Sequence, residues 1–273
     1  MLTFLFNRFN TISDHAPREI PEAGLTAIGL SSEIPPAMRR EMAAAAKVAL
    51  YDPGLSLEDC ASAKDGAARR DRALDDAAAL GAQRVLASIG RCCDAGRGEC
   101  GAAAIASALR ERCAARGMEL MLTNRRPFDP AVPVSAEKLA QLCAASETPL
   151  AFDVGASHAS MRALEDFWDL REQIGALLLN DNFGREALCP VGHEDYEPGV
   201  FPDDMRQPGY GSAPWVRLME RAPEVPMFIN GSRHGGAPLA QVLLETRVLL
   251  SGRVFVNPAG GRFGMGADGR LII

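Results

Sequence analysis

The sequence predicts a (β/α)8 barrel, an α/β fold in which eight parallel strands alternate with helices around a closed cylinder. Eight short apolar runs recur along the 273-residue chain, and each is followed by a polar turn and a helical pattern. The runs lack strict alternation, which is typical of strands buried on both faces. The alternative is an open doubly wound sheet, but no G-x-G-x-x-G follows the first strand.

The predicted strands are short and mainly apolar, as buried parallel strands are. In chain order they are LTFLF (2–6), LTAIGL (25–30), KVALY (47–51), RVLAS (84–88), MELML (118–122), PLAFD (149–153), IGALLLN (174–180) and VPMFI (225–229).

Helix boundaries are marked between these strands. Ser56 and Asp59 resemble a capping box before an Ala-rich segment that ends near Leu80, where Gly81 stops it. Ser135 precedes AEKLAQLCAA, which makes it a predicted N-cap.

Two further helices are predicted near the C-terminus. Ser212 is expected to open a segment that has Pro214 in its first turn. Pro238 opens LAQVLLETRVLL, whose apolar residues recur on one helical face. No low-complexity linker divides the chain, so we predict one barrel domain over 1–252. GGRFGMG (260–266) reads as a turn, which predicts a C-terminal β-hairpin extension over 253–273.

Composition narrows the classes of function. The formal net charge of -6 disfavours a duplex nucleic-acid binder, which usually presents a basic face. No segment is long and apolar enough to cross a bilayer, and the N-terminus lacks the pattern of a signal peptide. Seven scattered cysteines suit a reducing compartment. We expect a cytoplasmic protein with a small-molecule partner, no nucleic-acid partner and no membrane partner; a homo-oligomer stays open.

In a (β/α)8 barrel the active site lies at the C-terminal ends of the strands. The residues directly after each predicted strand are therefore the candidates for a site. They include Asn7, Arg8, Ser31, Ser32, Glu33, Asp52, Ser88, Thr123, Asn124, Arg125, Asp153, His158, Asn180, Asp181, Asn182, Asn230, Arg233 and His234.

A family resemblance is visible in the order of five short motifs. GMELMLTNR, PLAFDVGASH, IGALLLNDN, GYGSAPW and VPMFINGS together resemble the xylose isomerase-like barrels over roughly residues 1–250. This superfamily includes sugar phosphate isomerases and epimerases and the apurinic endonucleases of family 2. The resemblance implies a TIM barrel that acts on a hydroxylated small molecule.

The departures from the family pattern concern its metal ligands. The resemblance implies carboxylates and imidazoles at barrel-end positions that hold divalent metals. Asp153 is kept, but neutral residues stand at the other positions. Two of them, Thr123 and Asn230, replace carboxylates, and the loss of these two negative charges should cost most of the metal affinity. Those neutral residues are Ser88, Thr123, Ala156, Leu178 and Asn230. We therefore predict no metal centre and no cofactor.

Roles for the candidates follow from their chemistry. Asp153 and His158 are predicted as a catalytic acid–base pair. The alternatives are a displaced single-metal site with Asp181 or His234, and an Asp153 that only anchors its loop. Arg125 is the predicted clamp for an anionic group of the ligand, a carboxylate or a phosphate; a surface ion pair is the alternative. The remaining predicted substrate-binding residues are Asn7, Glu33, Thr123, Asn124, Asn180, Asp181, Asn230, Arg233 and His234.

Two functions stay open from the sequence. The first is a sugar isomerase or epimerase that enolises a sugar, polyol or keto acid without the family's metal. The second is a non-catalytic binding protein, a pseudoenzyme, that retains the pocket, because a fold does not confer its relatives' reaction. An apurinic endonuclease is disfavoured, since neither its metal cluster nor a basic DNA-facing surface is visible.

Overall fold

The structure is a computed structural model, and it describes most of the chain. The described residues are 1–8, 10–11, 15–57, 60, 66–89, 101–125, 135–159, 162–182, 205–220 and 222–252, with the backbone of 65, 255–256, 262–265 and 271–272.

Eight parallel strands close into a barrel in sequence order, with β1 paired to β2 and also to β8. The predicted (β/α)8 barrel is thus confirmed, and the open doubly wound sheet is wrong. The strands are β1 Leu2–Phe6, β2 Ala27–Ser31, β3 Lys47–Asp52, β4 Arg84–Ser88, β5 Glu119–Thr123, β6 Leu150–Asp153, β7 Ile174–Leu179 and β8 Met227–Ile229.

Helices follow the strands and cover the outside of the barrel. Short 3-10 turns at Arg171–Gln173 and His234–Gly236 complete the connections. Among the described residues the helices are α1 Ala16–Glu22, α2 Pro36–Ala45, α3 Asp65–Ala79, α4 Ala102–Ala114, α5 Ala136–Ser146, α6 Val154–Ala159, α7 Ala163–Asp169, α8 Trp215–Met219 and α9 Leu239–Leu250. None of them is long and apolar enough to cross a membrane.

The strands are apolar on both faces because each face meets a different core. Outward residues pack against the helices in the larger of two hydrophobic clusters. Inward residues fill the barrel in a second cluster, so the barrel interior is a packed core. The inward residues are Leu5, Ala49, Leu50, Leu86, Met121, Ala151, Ala176, Leu178 and Phe228.

Several predicted helix boundaries are confirmed. Gly81, two residues after the end of α3, has φ 67°, the left-handed conformation that favours glycine at a helix end. The Ser135 hydroxyl accepts a hydrogen bond from the Lys138 amide, and Pro238 immediately precedes α9. Asp59, the second residue of the predicted capping box, lies outside the described residues.

The predicted helix start at Ser212 is wrong. Helix α8 begins at Trp215, with Pro214 as its N-cap residue. The Ser212 hydroxyl contacts His158 instead of a helix amide. A serine before an apolar segment signals a cap only when no stronger tertiary partner is within reach.

The C-terminal backbone forms three short antiparallel strands. They are β9 Phe255–Val256, β10 Arg262–Met265 and β11 Leu271–Ile272, with β10 between the other two. Strand β10 pairs with both neighbours, so the predicted hairpin gains a third strand. The division into a barrel at 1–252 and an extension at 253–273 stays a prediction.

Candidate functional site

Each strand ends in a polar residue, or is directly followed by one, at the C-terminal end of the barrel. Side chains alternate along a strand, so the residue two positions after an inward residue also points inward. Seven of these positions follow the inward apolar residues, and the eighth follows Gly29. We call this set the polar ring. Its members are Asn7, Ser31, Asp52, Ser88, Thr123, Asp153, Asn180 and Asn230.

Asp153 lies at the centre of the hydrogen-bond network in the polar ring. Its side chain is 0% exposed, which makes unpaired charge there costly. Oδ1 accepts from the Ala156 amide at 3.0 Å. Oδ2 accepts from Arg125 Nε at 3.0 Å and from Asn230 Nδ2 at 3.4 Å. Because both oxygens are engaged, the geometry favours a positioning role over the predicted role in proton transfer.

Arg125 joins two strands of the ring. Its Nη1 donates to Asp52 Oδ2 at 3.0 Å while its Nε holds Asp153. Asp52 Oδ1 accepts from the Gly54 amide at 2.9 Å. The guanidinium therefore bridges two carboxylates, an arrangement that suits its planar fork of donors. Arg125 remains a predicted ligand clamp, but its charge is already matched by acids of the chain.

Asn7 extends the network to the first strand. Its Nδ2 lies 2.9 Å from both the backbone oxygen and Oδ1 of Asn230. The Asn7 loop is held by Asn10, whose Oδ1 accepts from the Asn7 amide at 2.9 Å. A continuous chain of contacts thus runs from β1 through Asn230 and Asp153 to Arg125 and Asp52.

Asn124 supports Asp153 from the neighbouring strand. Its Oδ1 accepts from the Asp153 amide at 2.6 Å, and its Nδ2 donates to the Asp153 carbonyl at 3.0 Å. The same Nδ2 lies 2.9 Å from Ser157 Oγ, which in turn donates to Asp166. Burial raises the pKa of Asp166. Beside Asn124, the Thr123 hydroxyl accepts from the Arg125 amide at 3.3 Å.

His158 lies in α6, the short helix that begins directly after Asp153. It is 5% exposed, and its Nε2 lies 2.9 Å from Ser212 Oγ. An imidazole beside a hydroxyl can donate or accept a proton, depending on its tautomer. The predicted direct pair with Asp153 is absent from the described hydrogen bonds, because the Asp153 oxygens bind other donors.

Asp181 anchors the segment that follows β7. Its Oδ1 accepts from the Asn182 and Ala213 amides, and its Oδ2 accepts from the Gly209 amide and Trp215 Nε1, all at 2.8–3.0 Å. The side chain is 0% exposed. Burial raises the pKa of Asp181 to about 6, against the lowering effect of these hydrogen bonds. Asp181 is a structural anchor here, and its substrate-binding role stays a prediction.

The other predicted site residues lie around this network. Asn180 is fully buried against Gly155, where an added Cβ would collide with the Asn180 amide. Glu33 is exposed and pairs with Arg8 at 3.5 Å. Arg233 is buried, and its guanidinium forms a bidentate pair with Glu19 of α1 at 3.0 Å. The geometry thus gives Arg233 a role in fixing α1.

His234 is exposed and stacks on Tyr210, with ring centroids 4.2 Å apart. The Tyr210 hydroxyl donates to the buried Glu245. Burial of the Tyr210 hydroxyl, together with the charge of Glu245 and this hydrogen bond, raises the pKa of Tyr210 to about 12. The predicted role of His234 in ligand binding stays a prediction.

Two contacts of the candidate site were not predictable from the sequence. Asp52 was visible as a polar residue after the third strand, but nothing local shows that Arg125 reaches it across 73 residues. Ser212 was read as a helix cap, so its contact with His158 was missed. The signal that points to Asp52 is its position: it ends its strand at an inward-facing position, as Asp153 does.

Comparison with solved structures identifies the class of fold. The IOLI protein, solved with a bound zinc atom, has a TM-score of 0.62 at 14% identity, covering 91% of this chain and 97% of that one. A xylose isomerase domain-containing protein from Salmonella typhimurium LT2 has a TM-score of 0.61 at 13% identity, covering 92% and 97%. D-psicose 3-epimerase in the presence of D-fructose has 0.57 at 11%, covering 89% and 88%.

The chain therefore has the fold of the xylose isomerase-like TIM barrels, and the predicted resemblance is confirmed at the level of fold. No protein-family model and no curated protein matches the sequence.

The residues of the polar ring do not fit a divalent metal centre. Metal ligation needs carboxylate or imidazole lone pairs that are directed at one point. Both oxygens of Asp153 are engaged by donors, and Arg125 brings a positive charge to the place where a cation would bind. Among the described residues, no three His, Cys, Asp or Glu side chains are grouped so that they could hold a metal ion.

Proposed function

We propose that the barrel mouth binds a small hydroxylated molecule, such as a sugar, polyol or keto acid, through the polar ring. The observation that supports this most strongly is the network from Asn7 through Asn230 and Asp153 to Arg125. Amides and hydroxyls at fixed positions suit ligand hydroxyl groups, which both donate and accept hydrogen bonds. The D-psicose 3-epimerase, which has the same fold and was solved with D-fructose, makes ketoses the first probes to test.

Titration calorimetry tests this proposal. We expect saturable binding of a ketose such as D-fructose or D-psicose, with an alditol and a phosphorylated ketose as comparison ligands. Asn230→Leu keeps the side-chain size but removes the amide that links Asn7 to Asp153. It should weaken binding about tenfold or more, because a buried partner is left unpaired.

Arg84→Gln is the matched control. Arg84 begins β4 at the opposite end of the barrel and pairs with Glu119 at 2.8 Å. Its removal should leave the affinity unchanged. Equal affinities for the wild type and Asn230→Leu would contradict binding at the polar ring.

A second function, isomerisation or epimerisation, is supported by one observation: the buried His158 imidazole lies 2.9 Å from the Ser212 hydroxyl. In such a reaction His158 would remove the proton from the carbon next to the ligand carbonyl. The test is proton NMR of a ketose incubated with the protein in deuterium oxide. We expect deuterium at that carbon, and its loss in His158→Gln.

No deuterium uptake at a ketose concentration that saturates binding would leave the non-catalytic binding protein as the function. The cytoplasmic location, an anionic ligand and a homo-oligomeric state stay predictions.

A further inference from the structure

The Arg125 guanidinium lies between two carboxylates at the mouth of the barrel. Nε lies 3.0 Å from Asp153 Oδ2, and Nη1 lies 3.0 Å from Asp52 Oδ2. The Arg125 side chain is 23% exposed, that of Asp52 is 16% exposed, and that of Asp153 is fully buried. This ion triad is therefore largely withdrawn from solvent. Electrostatic interactions are stronger in such a protected place than in water.

Asp52 and Asp153 both face the Arg125 guanidinium. A pair of carboxylates that face one cation could also be neutralised by a divalent metal ion. Here each acid gives one oxygen to the guanidinium and the other to a backbone amide, that of Gly54 or Ala156. Each of the four carboxylate oxygens thus already accepts a hydrogen bond. The two acids and one guanidinium leave a formal charge of -1, so a dication would have to enter beside an existing cation.

We propose that Arg125 takes the place of a divalent metal ion, as a cation that the chain itself supplies, and that it masks a latent metal site at Asp52 and Asp153. The mouth of the barrel is accordingly metal-independent. Removing the guanidinium leaves two acids with a formal charge of -2. It frees Asp52 Oδ2 and leaves Asp153 Oδ2 with only the 3.4 Å contact from Asn230 Nδ2. This inference does not depend on which ligand the mouth binds, or on whether the protein turns it over.

The experiment measures Mn2+ binding by electron paramagnetic resonance and the melting temperature with and without Mn2+, after dialysis against a chelator. The wild type should show no Mn2+ binding that depends on Asp153. Arg125→Gln should gain Mn2+ binding and a rise in Tm of at least about 3 °C with saturating metal. Arg125→Gln with Asp153→Asn should lose both gains, and Arg125→Lys, which keeps the charge, should resemble the wild type.

Mn2+ binding by the wild type that Asp153→Asn abolishes would overturn the proposal. So would a folded Arg125→Gln variant with no gain in Mn2+ binding. If Arg125→Gln fails to fold alone, refolding is repeated in Mn2+: recovery of a cooperative melting transition supports the proposal, and no recovery overturns it. Failure of the ketose titration changes none of these outcomes, so the two proposals fail separately.

Discussion

Asp153 ends β6 and Asp181 lies two residues after the neighbouring β7. Both side chains are fully buried, but the chain stabilises them in different ways. Asp153 accepts from the Arg125 guanidinium, a side-chain amide and one backbone amide. Asp181 accepts from three backbone amides and an indole, all of them neutral. A buried carboxylate can thus be held by an opposite charge or by a complete set of neutral donors.

This difference in donors distinguishes Asp153, a residue of the candidate site, from Asp181, a structural anchor. The donors to Asp153 are Asn230 of the polar ring, the adjacent Arg125 and the Ala156 amide, which place this buried residue in the network that the ligand is proposed to meet. Three of the four donors to Asp181 come from the segment 209–215, which the carboxylate fixes to β7. Gly211 packs so closely on Asp181 that an added Cβ would collide with Oδ1. The Asp181 carboxylate is therefore closely enclosed by the segment that it anchors.

The largest expected effect comes from removing Asp181, the carboxylate that is held by neutral donors. Asp181→Ala leaves the donors of Asn182, Gly209, Ala213 and Trp215 without their acceptor. We expect the free energy of unfolding to fall by about 5 kcal/mol, because each buried unsatisfied donor is costly. Urea denaturation followed by circular dichroism measures this. Asp181→Asn, which keeps one acceptor oxygen, should lose less, and a loss in Asp181→Ala below about 1 kcal/mol would contradict the anchor role.

The next effect breaks the charged arrangement. Arg125→Met preserves much of the apolar stem but leaves Asp153 buried without its cation. We expect a loss of about 4 kcal/mol at neutral pH, since breaking a buried ion pair strands one charge. The double variant with Asp153→Asn is the control and should recover part of the loss. Additive losses in the double variant would show that the two residues are not coupled.

The third prediction concerns pH. The folded state keeps the Asp181 proton up to about pH 6, whereas the ordinary value is 3.8, so between these values the folded state binds more protons. The Asp181 contribution to stability therefore falls as the pH rises through this window, by about 3 kcal/mol in total. The free energies of unfolding of the wild type and Asp181→Asn, measured from pH 4 to 7, should diverge in this direction. Parallel curves would show that Asp181 does not titrate there.

The smallest effect is expected at an exposed pair. Arg8 and Glu33 lie 3.5 Å apart, with side chains 67% and 42% exposed. Arg8→Gln should change the free energy of unfolding by less than about 0.5 kcal/mol, because solvent screens such pairs. The same denaturation assay measures it, and a loss as large as that of Arg125→Met would remove the contrast between buried and exposed ion pairs.

Much of the fold could be predicted from local pattern. Eight apolar runs matched eight strands, and Gly81, Ser135 and Pro238 marked real helix boundaries. These signals are readable because a strand buried on both faces and a helix cap each depend on neighbours within a few residues. The set of polar residues at the strand ends was predictable for the same reason, once a barrel was inferred.

The sequence by itself thus determined the elements, their order and the polar character of the barrel mouth. Only the tertiary structure decided which polar groups meet: Arg125 with Asp52, Arg233 with Glu19, and Ser212 with His158 instead of a helix amide. These partners lie 54 to 214 residues apart in the chain. The physical reason is range, because hydrogen bonds act over about 3 Å, and barrel closure alone brings such distant residues within that distance.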